Sequence, residues 1–407
     1  MDCAKGRSMA DLYDELMLEI FSRMPVKDLR HSTYVCKSWR NLITDPLNGK
    51  KLPQTLEGFF HGGVGGPRSY GHFTSLPGSG VPPVDPSFSF IKAMVPGVER
   101  MVLLDSCNGL LLFGCTREGK FGYIVSNPAT KKLVTVPASS GSCPPPPLFA
   151  FEAEVDYDSG EKYAHTFLMF NPAVSSHFHL FQIWQDMTVE DVETVHSYSS
   201  ETKAWSDRSS KWRRGEEGSE WGLWGECLIK FRMGRALIND LLHFVGFDSQ
   251  KQEDVIVAVD GEGKTCRIID WHGKDVRLII FIGQSQDRLH CIGVNTKAGQ
   301  DHIHITRMSI WVLEDYDTKA WILKHSVGSL QFFGLLGRLV HDFNIVAIHP
   351  DHNSIIIVQH WNQKLVSYNM DTQELRGLRT LENGCAYVAI TPYVPCFLES
   401  SVLATKG

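Results

Sequence analysis

The run LYDELMLEIFSRMPVKDLRHSTYVCKSWRNLITDP, residues 12–46, is the part of the chain with a clear helical rhythm. Leu12, Leu16, Ile20 and Met24 recur every four residues, flanked by Met17 and Phe21, as on one face of an amphipathic helix. Asp11 or Asp14 can cap its start, where acidic side chains also suit the positive end of the helix dipole. Pro25 stops this helix and opens a second at its first turn, where the missing N–H costs nothing. The second runs from about Val26, with Leu29, Thr33 and Cys36 near one face. A third carries Val35 or Cys36, then Trp39, Leu42 and Ile43. Asp45-Pro46 closes it, because the residue before proline is pushed out of the helical region. Three helices in roughly 35 residues are close to the lower limit for an independent core, so the unit gains from a partner that covers its apolar faces.

Outward from this run the material changes. Residues 1–11 read as an N-terminal tail. Residues 51–100, with HGGVGGPRSYGHF and LPGSGVPPVDPS, read as an irregular Gly/Pro-rich connection. From Met101 onward come short β-branched and aromatic runs, among them MVLLDSC, GLLLFGC, EAEVDY, HTFLMF, DVIVAVD, HIHITRM, SIWVLED, SIIIVQH and AYVAITP. Gly, Asn, Asp or Pro usually separates them, and no useful helical period intervenes, which disfavours alternating strand–helix folds. A polar turn recurs in NPATKKLVTV, SSETKAW, DGEGKTCRI, EDYDTKAWIL and NMDTQEL. Measured at Thr130, Thr202, Gly263, Thr318 and Thr372, it returns after 72, 61, 55 and 54 residues. This is a drifting repeat near the roughly 40–50 residues of a four-stranded propeller blade. The expected fold is a small all-α unit of three helices followed by an all-β domain, a β-propeller of about six blades over 101–400, with a C-terminal tail at 401–407.

Two resemblances bear on function. Residues 12–50 resemble an F-box, carried by the spacing of Leu16 to Ile20-Phe21, by SRMPVKDL and by VCKSWRNLITDP. The phrases DSCNGLLLF, VSNPATKKLVTVP, VHSYSSETKAW, LINDLLHFVGF, SIWVLEDYDTKAWILKHSV and LVSYNMDTQEL are similar to the F-box-associated, kelch-like domains of plant F-box proteins. The resemblance implies a substrate receptor of an SCF-type ubiquitin ligase, docked on a Skp-family adaptor and through it on cullin and RING subunits. It implies adaptor-facing roles for Leu12, Leu16, Ile20, Pro25, Val26, Leu29, Val35, Trp39, Leu42 and Ile43. The family has proline where this chain has Tyr13. The β-domain would hold an unknown target protein, and no bond chemistry is implied. A different class of reading is a scaffold or stoichiometric inhibitor without substrate turnover.

The remaining signals narrow the field. The 407 residues are 43% hydrophobic and 21% charged, with a formal net charge of −6, so no clustered basic surface argues for nucleic acid or an anionic membrane. No apolar signal region or membrane-length run is visible, and ten scattered cysteines without a CxxC pair read as thiols of an intracellular protein, cytoplasmic or nuclear. AVDGEGKT, residues 258–265, fits a loose phosphate-loop pattern, but CRIIDWHG after it reads as a strand, so the glycines make a hairpin turn. His302 and His304 share a strand face near Asp301, His290 and Cys291, without a defined third and fourth ligand. No GxSxG elbow occurs. The expectation is therefore no cofactor, no metal and no catalytic residue. SCPPPP, residues 142–147, reads as a stiff surface loop. The loop at 205–226 is rich in Trp and basic residues, and Trp212, Arg213, Arg214, Trp221 and Trp224 are its candidates for contact with a target.

Overall fold

A computed structural model describes residues 9–24, 26–45, 48, 52, 56–62, 70–76, 84–139, 162–186, 191–207, 227–230, 233–248, 251–263, 266–271, 278–298, 303–328, 343–381, 390–397 and 401–403. The first described elements are helices α1 (Met9–Ser22), α2 (Val26–Ser32) and α3 (Lys37–Thr44). The first helix begins at Met9, three residues before the expected Leu12. Tyr13 is therefore its fifth residue, past the point where proline is tolerated.

Next come β1 (Gly58–Gly62), β2 (Tyr70–Ser75) and α4 (Ser89–Met94). These lie inside 51–100, expected as an irregular connection, and that expectation is corrected. Phe59, Phe60 and Phe73 are buried on the two strands. Each run is too short between Gly and Pro for a strand period to register.

Five antiparallel sheets follow. Blade 1 is β3 (Val98–Cys107), β4 (Leu110–Arg117), β5 (Lys120–Asn127) and β6 (Lys132–Pro137). Blade 2 is β7 (Lys162–Phe170), β8 (Phe178–Asp186), β9 (Asp191–Ser199) and β10 (Ala204–Asp207). Blade 3 is β11 (Cys227–Ile229), β12 (Ala236–Ile238), β13 (Leu241–Asp248), β14 (Glu253–Asp260) and β15 (Cys266–Asp270). Blade 4 is β16 (Leu278–Ser285), β17 (Arg288–Ala298), β18 (Ile303–Asp315) and β19 (Ala320–Gly328). Blade 5 is β20 (Phe343–Ile348), β21 (Ser354–Gln359), β22 (Lys364–Asn369) and β23 (Glu374–Thr380). The sixth sheet joins the two ends of the domain: β24 (Thr391–Tyr393) pairs with β1, and β1 with β2. In that closure Gly58 faces Tyr393, Phe59 faces Pro392 and Phe60 faces Thr391. The molecule is a three-helix unit followed by a six-bladed β-propeller.

The repeated turn has one structural meaning. In blades 1 to 5 it joins the third strand to the fourth. Its first residue folds a side-chain oxygen onto a backbone amide two positions on. Asn127 accepts from Ala129, Asp260 from Glu262, Asp315 from Asp317 and Asn369 from Asp371, at 2.8–3.1 Å. Ser199 accepts from Glu201 in the same way at 3.3 Å. The turn then needs a left-handed residue, supplied by Lys131, Lys203, Gly263, Lys319 and Gln373. Short polar side chains that mimic a backbone turn are favoured here, so the repeat shows in the sequence.

Packing follows the same plan. Each pair of neighbouring blades shares one apolar cluster, from blades 1 and 2 (Leu112, Leu168, Leu180) round to blades 5 and 6 (Phe59, Ile356, Val358). A buried polar link crosses most of these seams. Asn108 donates to the Phe170 carbonyl at 2.7 Å, Ile229 N–H to Gln185 at 3.0 Å, Ile279 N–H to Asp254 at 2.9 Å, and Ser285 to the His349 carbonyl at 2.7 Å. Asp105 on β3 accepts from Leu168 N–H on β7 at 2.7 Å and pairs with Arg235 beside β12, so one carboxylate ties three blades together. Satisfied in this way, buried polar groups fix the blade register rather than penalise it.

Further expectations change. HIHITRM and SIWVLED are one strand, β18. β9 carried no readable strand signal; β19 and β23 showed only as strands restarting after the recurring turn, and they are outer strands with mixed exposure. EAEVDY and SCPPPP lie outside the described residues. Residues 401–407 are not simply a tail: Ser401–Leu403 form a 3-10 turn whose Leu403 is buried against blade 1.

Candidate functional site

The helical unit has an inside and an outside. Met17, Leu18, Phe21, Leu29, Ile43 and Leu52 form its core, with Trp39 and Leu42 partly buried against it. Phe21 meets Trp39 edge to face at 5.2 Å. Cys36 caps α3 by accepting from the Trp39 amide at 3.4 Å, which sets the indole over the core. One member of this cluster comes from the far end of the chain: Phe397, just after β24, packs into it.

On the outside, Tyr13, Leu16 and Ile20 are 54%, 58% and 54% exposed. Spaced three and four residues apart on α1, they form one stripe. Tyr34 and Val35, in the turn before α3, are exposed as well. The four-residue periodicity is thus split: Leu16 and Ile20 stand outside, while Met24 is partly buried against the core. Met17, Leu18 and Phe21 turn inward instead.

The residues expected to face an adaptor are therefore divided. Leu16, Ile20 and Val35 are exposed. Leu29 and Ile43 are fully buried inside the unit, which corrects their placement on an outer face. Trp39 and Leu42 are intermediate. The side chains of Leu12, Pro25 and Val26 lie outside the described residues. Sequence reasoning missed Tyr13 and Tyr34 as part of the exposed set; Tyr13 stood out only as a departure from the family pattern.

The bundle sits at one end of the propeller. Phe397 follows Cys396, whose carbonyl accepts from Asn127 in the third-to-fourth turn of blade 1, at 2.8 Å. Cys396 also lies against Gly109 in the first-to-second turn of that blade. A β-carbon at Gly109 would stand 2.2 Å from the Cys396 β-carbon, and φ there is +87°, so glycine is required on both counts. The second-to-third turns stand at the opposite, distal end. The 205–226 loop starts and finishes toward that end: β10 runs away from the third-to-fourth turn, and Cys227 pairs with Asp248 at the second-to-third turn of blade 3. Trp212, Arg213, Arg214, Trp221 and Trp224 lie outside the described residues. Trp205, at the head of the loop, donates to the Pro137 carbonyl at 2.8 Å and packs on Tyr198, so it anchors a strand end.

The other motifs take their places in the scaffold. Asp260 to Gly263 form a hairpin turn and β15 follows as a strand, so no helix offers amides to a phosphate. Lys264 and Thr265 are outside the described residues. His304 is exposed on β18, His290 and Cys291 are buried on β17, and His302 is outside the description. Among the described residues no group of three or more His, Cys, Asp or Glu is placed to hold a metal ion. Burial pushes the thiols of Cys107 and Cys115 up to about 11, which keeps them protonated and unreactive. No helix among the described residues is long and apolar enough to cross a membrane.

Comparison with known proteins places residues 9–51 in the F-box domain family. The F-box protein At5g07610 of Arabidopsis thaliana is 22% identical over 342 residues, covering 78% of this chain and 70% of that protein. Among solved structures, the nidogen/laminin complex has a chain with TM-score 0.40 and 7% identity, covering 83% of this chain and 99% of that one. A TolB protein from Agrobacterium tumefaciens has TM-score 0.32 and 11% identity, over 67% of this chain and 82% of that one.

Proposed function

We propose, from an F-box domain at the N-terminus with a six-bladed propeller behind it, that this chain is the substrate-recognition subunit of an SCF-type ubiquitin ligase. It acts inside the cell, in the cytosol or the nucleus. The observation that carries the proposal is the exposed apolar stripe of Tyr13, Leu16 and Ile20 on a unit too small to cover it, which also exposes Tyr34 and Val35. Large apolar side chains grouped on one face mark an interaction site. Covering the exposed half of Leu16 and of Ile20 is worth about 1 kcal/mol each. A Skp-family adaptor is the partner, and through it cullin and RING subunits are reached.

The propeller holds the target protein at its distal end, remote from the bundle, where the 205–226 loop is anchored and where loops on a rigid scaffold are free to carry recognition. The subunit performs no bond chemistry. It raises the local concentration of a target lysine beside the charged conjugating enzyme, so its effect is one of proximity. Ubiquitination and proteasomal degradation of the target follow.

The test is capture of a purified Skp-family adaptor by the full-length chain. The wild type captures it; Leu16→Asp/Ile20→Asp, which alters only exposed positions, does not. Equal capture by both overturns the docking surface, and no capture by either overturns the ubiquitin-ligase reading. In cells the double variant lengthens the half-life of a target. A target whose half-life is unchanged would make the chain a scaffold or inhibitor.

A further inference from the structure

The outer strands of the blades differ in how they are finished. β6 is covered by the 3-10 turn Ser401–Leu403. β10 is only four residues long and is held by Trp205. β2 lies under α4, with Phe73 packed among Ile91 and Val95. β23 in blade 5 has no such cover among the described residues, and an uncovered outer strand presents unpaired backbone groups.

Its side chains are unusual for a chain of net charge −6. Arg376 and Arg379 are exposed, as is Lys364 on the neighbouring strand, and none of the three is paired with a carboxylate among the described residues. Two arginines three apart would point to opposite faces of a regular strand. Here the ladder slips: Leu365 pairs with Arg379 but Val366 with Gly377, so Leu378 is the extra residue of a bulge. Arg376 pairs with Ser367, two residues from Leu365, and the bulge therefore brings both arginines to one face. Bulges that re-aim side chains in this way are features of function as much as of shape.

An aromatic lies in the turn that leads to Lys364, which pairs with Thr380, the residue after Arg379. Trp361, in the β21–β22 turn at the distal end, is 52% exposed. The turn is held rigid. Asn362 donates to Gln359 at 2.9 Å, Gln363 to the His360 carbonyl at 2.7 Å, and Lys364 N–H to Asn362 at 3.1 Å. A fixed, half-exposed tryptophan and exposed arginines on one blade are the residue types of a binding hot spot.

We infer that the outer edge of blade 5 takes an extended acidic segment of the recruited protein as an added strand. The proposal rests on the substrate-receptor reading and gives the target a chemistry. The segment hydrogen-bonds to β23. Carboxylates at alternate positions meet Arg376 and Arg379, and an apolar side chain covers Trp361. Glu374, at the other end of β23, sets the far limit of the acidic run. Strand addition supplies affinity through the backbone and specificity through alternate side chains.

The test uses the full-length chain bound to its adaptor and a fluorescein-labelled peptide of about ten alternating Glu and Thr residues, matched to a Lys–Thr peptide; strand addition with charge pairing is the recognition probed. Anisotropy should show binding of the Glu–Thr peptide alone, weakening as salt is raised. Arg376→Glu/Arg379→Glu should weaken it about tenfold or more, and Trp361→Ala severalfold. Equal binding of the two peptides, or undiminished binding by the charge-reversed chain, overturns the proposal. Adaptor capture is read in the same samples. Capture without peptide binding sinks only the acidic-strand proposal, whereas absence of capture sinks the ligase reading itself.

Discussion

The helical unit and the propeller treat apolar surface in opposite ways. The propeller is closed: blade packs on blade, the last strand pairs with the first, and Asp105, Asp254 and Gln185 are buried but hydrogen-bonded across the seams. The bundle is open. Five of the ten large apolar side chains that stand exposed among the described residues fall between Tyr13 and Val35. A ring can satisfy itself because every blade has two neighbours. Three short helices cannot, and a surplus apolar face is left on the outside.

The comparison breaks most severely where the two regions share residues. Truncation before Thr391 removes β24 and Phe397 together. The expected result is loss of the cooperative unfolding transition of the propeller and of the bundle's helical signal, followed by calorimetry and circular dichroism. A bundle that stayed folded would show that Phe397 is dispensable to it.

Asp105→Ala tests the closed region alone. It removes the carboxylate that pairs with Arg235, which keeps the Ser106 carbonyl, and leaves the Leu168 N–H without its acceptor. Breaking such a pair from one side costs about 3–5 kcal/mol. Chemical denaturation should show this loss in the propeller while adaptor capture persists at low denaturant.

Acid is a milder probe of the same region. Burial pushes the imidazoles of His243 and His290 down from 6.5 to about 4. The unfolded chain then binds protons more readily than the folded one. Their contribution is full above about pH 6.5 and is lost as pH falls toward 4. By about pH 5 the loss is on the order of 2 kcal/mol per histidine. Denaturation curves between neutral and acid pH should show it, and His243→Gln should flatten the dependence.

The smallest effect on stability belongs to the open face. Leu16→Asp/Ile20→Asp changes only exposed positions, so unfolding should move by no more than about 1 kcal/mol for the pair. Adaptor capture should nevertheless be lost. Stability and function thus respond in reverse order in the two regions.

Much of this was legible beforehand because it is local. The helical run, its proline punctuation and the turns built on Asn127, Ser199, Asp260, Asp315 and Asn369 depend on residues a few positions apart. Six blades could be expected from the turn spacing, since each turn is the same hairpin in successive blades. The sequence was silent where partners are remote. Nothing near Asp105 announces Arg235, and nothing near Phe21 announces Phe397. It misled where two apolar sets overlap on one helix: the four-residue period puts exposed Leu16 and Ile20 in one stripe with Met24, which packs on the core built by Met17, Leu18 and Phe21. Gly and Pro hid β1 and β2. The polar face of β23 obscured a strand whose bulge is visible only in its pairing with β22.

The pairing of β24 with β1 also has a meaning in time. The chain is made from its N-terminus at about 5–20 residues per second, so synthesis takes on the order of half a minute or more. Through that interval the bundle lacks Phe397 and the first strand of the propeller lacks its partner. Neither part can be completed before the final few residues emerge. A message that ends early therefore yields a chain whose helices lack Phe397 and whose first propeller strand lacks its partner.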